Sequence, residues 1–245
     1  MGSGDDWFDL VHTQFSDYCN ILINLPGHGN SDIPTDVVFS NSLSSLVNQL
    51  SASGIKRFTP IGYSMGGRVA FHLQNLVPEK IQALIFISSA PGLKTEAERK
   101  QRRIDDGILM DKLEMTGFSA FLKGWYSSPL FGNIGDNSTL SGKLYQERSN
   151  NEVERLRQAL ALMGNGALPS LWEKLKNIAV PTLLMTGKLD QKYARLNQEI
   201  NQSMAGSKHI EITDAGHAFH FEKPLETARI IRHFLSEIIE GEQSD

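Results

Sequence analysis

The stretch "GYSMGGRVA", Gly62–Ala70, decides how this chain is read. It follows the apolar run "IKRFTPI" and leads into "FHLQNL", so a serine among small residues sits where a predicted strand turns into a predicted helix. Gly62-x-Ser64-x-Gly66 in that context fits a nucleophile elbow. Such a turn is so tight that the serine backbone is strained, its neighbours must be small, and the hydroxyl stands above the sheet at a helix N-terminus. The pattern alone is weak, because small residues at a strand–helix turn often serve packing only.

Working outward, residues 18–25, "YCNILINL", form a short apolar run that predicts a buried strand running into the turn-rich "PGHGNSD". "SNSLSSLVNQLSASG" places Leu43, Leu46, Val47 and Leu50 on one helical face, with Ser40 or Asn41 as N-cap and Gly54 as a stop. "RFTPIGYS" predicts a strand, "MGGRVAFHLQNL" a helix ended by Pro78, and "IQALIFISS" a strand apolar on both faces, as in a parallel sheet covered on each side. From Pro91 to about Ile178 the rhythm changes to helical segments, "GLKTEAERKQRRIDDGILMDKL", "FSAFLKGWYSSPLF" and "VERLRQALALM". "VPTLLMTGKLD" and "KHIEIT" restore strands, and "LETARIIRHFLSEII" closes the chain as an amphipathic helix. The expected class is α/β, a mostly parallel doubly wound sheet with a helical insertion between two strands. Residues 1–90 and 179–245 read as the core and 91–178 as a helical cap or lid.

Bulk properties narrow the function. A chain of 245 residues suffices for one large α/β domain, and a formal net charge of −4 argues against a general nucleic-acid surface. The single cysteine, Cys19, allows no internal disulfide and points to a reducing compartment. "MGSGDDWFDL" lacks the basic start and apolar stretch of a signal peptide, and no apolar run reaches the ~18–20 residues of a membrane span. The expected location is the cytoplasm, and the expected partner a small molecule.

Two further residues give Ser64 a chemistry. "TGKLDQKY" puts Asp190 just after a predicted strand, and "DAGHAFHFEKP" puts His217 just after the next. Ser, Asp, His is the chain order of α/β-hydrolases, and each residue falls at the carboxyl end of a strand, where open parallel sheets bind ligands. His217 would take the serine proton and Asp190 would hold the imidazole in the right tautomer. Taken singly, His217 reads as a loop histidine and Asp190 as a helix N-cap. His28, in the "PGHG" loop beside the cleft, is placed to contact a ligand. His220 has neither HExxH spacing nor a third ligand, so no zinc site is read there. His12, His72, His209 and His233 read as surface or packing residues.

Arginines suggest the ligand. Arg68 lies one helical turn after Ser64, and the insertion carries Arg99, Arg102, Arg103 and Arg148. A run such as "ERKQRRIDD" commonly forms an exposed helix face, yet several guanidinium groups over a catalytic serine suit a polyanionic substrate, because arginine grips carboxylates with paired hydrogen bonds.

"GYSMGGRVA", "APGLKTEAERKQRR", "WYSSPLF", "RSNN" and "AGHAFHFEKP" together resemble the 2-succinyl-6-hydroxy-2,4-cyclohexadiene-1-carboxylate synthase family of menaquinone and phylloquinone biosynthesis. The resemblance spans nearly the whole chain. It implies an α/β-hydrolase-fold lyase, with no metal or organic cofactor, that removes pyruvate from 2-succinyl-5-enolpyruvyl-6-hydroxy-3-cyclohexene-1-carboxylate. It implies Ser64, Asp190 and His217 as the triad, and the Met65 backbone N–H as an oxyanion donor. It further implies Arg68, Arg102 and Arg148 as carboxylate-binding arginines, and Tyr63 and Trp125 as pocket aromatics. The rival readings are an esterase, thioesterase or carbon–carbon hydrolase acting on an anionic substrate, and a binding protein that has lost the reaction.

Two positions depart from the family. Asn24 stands where the family carries Asp, a change compatible with the same turn bonding. The family's first cleft strand ends in a motif like "LHGFxGxxxxW", whose backbone supplies a second oxyanion donor, and "MGSGDDW" looks like its tail alone. The resemblance therefore implies a gap between "NILINL" and "RFTPIG", unless those two strands close up and pair directly. Met1 is accordingly expected to be an internal methionine. The chain as written is expected to be less stable or less active than an upstream-extended form.

Overall fold

Side chains alternate across a strand, so each face of a sheet needs its own cover. The computed structural model describes residues 1–33 and 38–242 of the chain. Its strands are β1 (Ile61–Tyr63), β2 (Leu84–Ile87), β3 (Thr182–Gly187) and β4 (Ser207–Ile212), all parallel and in the order β1-β2-β3-β4. The helices are α1 (Phe8–Gln14), α2 (Phe39–Ala52), α3 (Met65–Leu76), α4 (Glu96–Tyr126), α5 (Ser138–Arg148), α6 (Val153–Met163), α7 (Gln191–Ser203), α8 (Phe219–Glu222) and α9 (Pro224–Glu242).

Ile85, Ile87, Leu183 and Met185 face Phe15, Ile231 and Phe234, on the side of α1 and α9. Leu84, Phe86 and Leu184 face Phe71, Ile200 and Met204, on the side of α3 and α7. Phe71 stacks on Phe86 with ring centroids 3.7 Å apart. Two covered faces are the reason "ALIFI" shows no polar alternation.

Between β2 and β3 the chain forms α4, α5 and α6. Thr95 starts α4 with a capping box: its hydroxyl accepts the Glu98 N–H, and the Glu98 carboxylate accepts the Thr95 N–H. Gly117 sits at φ 73 and ψ 163, so α4 is two helices meeting at that residue. These helices share a core of their own around Met110, Leu113, Phe121, Leu122, Leu144 and Leu156. α5 is absent from the helical segments expected of the sequence, because "STLSGKLYQER" carries only two large aliphatic side chains.

The expected strand at residues 18–25 does not form. Residues 19–25 belong to no strand, and Ile21 and Ile23 are 46% and 39% exposed. A strand needs a hydrogen-bonded neighbour. Among the described residues β1 pairs only with β2, and its other edge, with Ile61 40% exposed, lines one cavity together with residues 19–23 and Leu25. The two segments have not closed up to pair. α2 begins at Phe39 with Val38 in the N-cap position and no side-chain cap, rather than at Ser40 or Asn41.

This difference in burial is measurable. Ile85→Ala, in a fully buried strand, should cost about 3 kcal/mol by urea unfolding, and Ile23→Ala less than about 1 kcal/mol. Equal costs would place residues 19–25 in the core.

Candidate active site

The end of β1 turns into α3 through Ser64, whose backbone lies at φ 50 and ψ −107. A non-glycine residue with positive φ carries strain, so neighbouring bonds must hold it. The Ser64 N–H donates to the Ile87 carbonyl at 2.9 Å. Its own carbonyl accepts from the Ser89 hydroxyl at 2.7 Å and from the Arg68 N–H at 3.2 Å. Asn197 Nδ2 in turn donates to the Ser89 carbonyl at 2.8 Å. Steric demand falls on Gly62 and Gly67. A Cβ on Gly62 would lie 2.5 Å from the Gly66 carbonyl oxygen, and one on Gly67 would lie 2.5 Å from Ser89 Cβ, whereas one on Gly66 meets open space. The third small residue of the turn is therefore Gly67 and not Gly66.

Above Ser64 the chain brings Asp190 and His217 together. His217 Nε2 lies 3.0 Å from Ser64 Oγ, and His217 Nδ1 lies 2.6 Å from Asp190 Oδ2. A carboxylate against Nδ1 fixes the proton on that nitrogen and leaves Nε2 free to accept the serine proton. Asp190 Oδ1 also accepts the Tyr193 N–H at 3.1 Å, so the residue is both N-cap of α7 and partner of the histidine. The histidine loop is held from the insertion. The His217 N–H donates to the Leu130 carbonyl at 2.8 Å, and the Gly216 N–H donates to Glu222 Oε1 at 2.8 Å. Burial pushes the Glu222 carboxyl up, against the pull of the Gly216 and Asn133 N–H groups. Tyr63 and Tyr193 flank the imidazole, with ring centroids 5.3 and 4.7 Å away.

A cavity of about 850 Å³ opens onto this arrangement, and Ser64, Arg68, Arg102, Trp125, Arg148 and His217 all line it. The three arginines are not equivalent. Arg148 is clamped by Asp6, with Nη1–Oδ1 and Nη2–Oδ2 both at 2.7 Å. Arg102 donates from Nε and Nη2 to Asp106 Oδ1, each at 2.7 Å. Arg68 is buried, and its Nε has no partner among the described residues. Burial pulls the Arg68 guanidinium below its ordinary value. An orphaned donor of this kind is costly inside a protein and calls for an anion. Arg99 and Arg103 instead pair with Glu96 at the start of α4.

Trp125 packs against Phe121 and Phe131. Burial raises the Tyr63 hydroxyl above its ordinary value, so it stays protonated. The Met65 N–H is the first of α3 and has no bonded partner among the described residues, as expected at a helix start. His28 is buried in the cavity wall with Nδ1 3.1 Å from the Pro26 carbonyl, and burial pushes it down to about 3. His220 stacks on Trp7, centroids 5.0 Å apart, behind Tyr63. Burial, then His217 and Arg148, bring His220 down to about 3, so it is a neutral packing residue.

Asp6, Ser89, Asp106, Tyr193 and Glu222 escaped the sequence reading. Asp106 was within reach of it, since it follows Arg102 by four positions on one helix. The other partners meet the site only through the fold.

A parallel sheet with a strained serine turn at a strand end, followed in chain order by a paired aspartate and histidine, defines an α/β-hydrolase fold with a serine triad. Residues 1–224 match the family model described as the alpha/beta hydrolase fold. A Bacillus subtilis (strain 168) relative is 33% identical over 97% of this chain and 88% of its own length. The 2-succinyl-6-hydroxy-2,4-cyclohexadiene-1-carboxylate synthase of Salmonella agona (strain SL483) is 31% identical over 91% of this chain and 86% of its own. The solved structure of MenH from S. aureus superimposes with a TM-score of 0.89 at 30% identity, covering 97% of this chain and 90% of that one. The chain belongs to the 2-succinyl-6-hydroxy-2,4-cyclohexadiene-1-carboxylate synthase family. No helix among the described residues is long and apolar enough to cross a membrane.

The turn geometry separates its glycines. Gly62→Ala should lower stability by about 3 kcal/mol, as overpacking against backbone does, while Gly66→Ala should stay within about 1 kcal/mol of wild type in urea unfolding. A reversed order would contradict the arrangement at Ser64.

Proposed function

We propose that the chain is a carbon–oxygen lyase. It eliminates pyruvate from 2-succinyl-5-enolpyruvyl-6-hydroxy-3-cyclohexene-1-carboxylate to give 2-succinyl-6-hydroxy-2,4-cyclohexadiene-1-carboxylate. The observation that carries the reading is the pairing of a buried, unpartnered Arg68 Nε with a hydrogen-bonded Ser64–His217–Asp190 line in one cavity. Family membership names the substrate, which bears three carboxylates and a proton on the ring carbon next to the succinyl ketone.

Ser64 gives its proton to His217 Nε2 and removes that ring proton. Charge grows on the ketone oxygen, where the Met65 N–H is the donor at hand. The electron pair moves through the ring alkene to the neighbouring carbon–oxygen bond, which breaks and releases the enolpyruvyl group. His217 returns a proton to the departing group, which becomes pyruvate. No bond forms between Ser64 and substrate, so the serine is a base and not a nucleophile. Asp190 stabilises the imidazolium that exists between the two proton transfers. Arg68 holds one carboxylate so that the ring proton faces Ser64. Residues 91–178 act in this reading as a lid that carries Arg102, Trp125 and Arg148. The single cysteine supports a cytoplasmic setting.

A coupled assay of pyruvate release tests the reading. Ser64→Ala should lower turnover about 10³-fold or more, and Arg68→Ala should raise KM at least tenfold while thermal stability is kept. Unchanged turnover in Ser64→Ala would remove the triad from the mechanism.

A further inference from the structure

We infer that Asp6 is an internal competitor of the substrate. Its carboxylate occupies the Arg148 fork, and a substrate carboxylate reaches Arg148 only by displacing it. The inference rests on the carboxylate-binding reading above and concerns the affinity that the site attains.

The geometry is that of a ligand already bound. Both terminal nitrogens of Arg148 face both oxygens of Asp6 at 2.7 Å, the paired arrangement in which arginine holds a free carboxylate. The two side chains are 5% and 10% exposed, and both residues line the same cavity as Ser64 and His217. Asp6 comes from the four-residue turn Gly4–Trp7 and Arg148 from the end of α5, so the pair is 142 positions apart in the chain and is made by the fold. Among the described residues Asp6 Oδ2 has one other hydrogen-bond partner, the Ser3 N–H at 3.1 Å, a bond local to the Gly4–Trp7 turn.

Charge gives the consequence. Asp106 neutralises Arg102 and Asp6 neutralises Arg148, so of the three arginines only Arg68 brings an uncompensated positive charge to the cavity. One free buried guanidinium, with the exposed Lys192 at the cavity wall, leaves a tricarboxylate badly matched in a partly desolvated site. Displacing Asp6 opens a second fork, with Glu147 Oε2 still 3.6 Å from Arg148 Nη1. The gain at Arg148 is then offset by the loss of its bond to Asp6, and affinity is weaker than three arginines suggest. Asp6 thereby sets how tightly the site holds its substrate and favours ligands with enough carboxylates to compete.

Calorimetric titration of the enolpyruvyl substrate into Ser64→Ala protein, where it is not consumed, tests this directly. Adding Asp6→Asn should tighten Kd by roughly tenfold, the scale of one charge-assisted hydrogen bond no longer opposed. The same variant should melt lower than its parent without ligand, because buried Arg148 loses its paired carboxylate and among the described residues keeps only Glu147 Oε2 at 3.6 Å as counter-charge, and the difference should vanish at saturating substrate. Asp6→Ser, which keeps an acceptor for the Ser3 N–H, serves where Asp6→Asn does not fold. An unchanged or weaker Kd, or a melting deficit that persists with substrate bound, would make the pair a structural tie and overturn the inference. Adding Arg68→Ala separates the two readings: weaker binding there supports the carboxylate site whatever Asp6 does. Absence of binding in every form overturns both.

Discussion

Everything in the site hangs on the backbone of Ser64. Its dihedral angles are unfavourable for any residue with a Cβ, and the fold holds them there with the Ile87 carbonyl, the Ser89 hydroxyl and two close glycines. Such strain persists only where the surroundings over-determine it. The result is a hydroxyl projected from the end of a three-residue strand toward a histidine on a different loop. β2 and β3 then matter less as scaffold than as clamps: β2 supplies the carbonyl, and β3 leads into Asp190. The insertion completes the clamp, because the Leu130 carbonyl fixes the loop that carries His217.

Charge is arranged with equal economy. Asp106 faces Arg102 and Asp6 faces Arg148, so that each of these two arginines at the cavity has a carboxylate beside it. Arg68 is the exception, one turn of helix from the serine. A buried cation without a partner is expensive in a protein that has no use for an anion. In the reaction proposed above, that cation is the anchor for a substrate carboxylate.

Most of this was readable from the chain because it depends on local pattern. The unbroken apolar run through Leu84–Ile87 announces a strand covered on both faces. The order of Ser64, Asp190 and His217, each at a strand end, announces the cleft. What could not be read depends on contacts far apart in sequence. Residues 19–25 are as apolar as a buried strand, yet strand formation needs a neighbour, and periodicity says nothing about whether one is present. Gly66 completes the sequence pattern, while Gly67 is the residue pressed against Ser89; only the packing of α3 on the strand end distinguishes them. Asp6 reads as one more acid in a polar N-terminal stretch until α5 brings Arg148 against it.

The central claim is that Ser64 removes a proton and never becomes acylated. Rapid-quench intact-mass spectrometry of the protein, mixed with the enolpyruvyl substrate and sampled through the first turnover, tests it most directly. The account predicts unmodified protein mass at every time point while pyruvate appears without a burst. A covalent adduct on Ser64 that forms and decays at the rate of turnover would contradict it and make the chain a serine hydrolase that uses the same triad as a nucleophile.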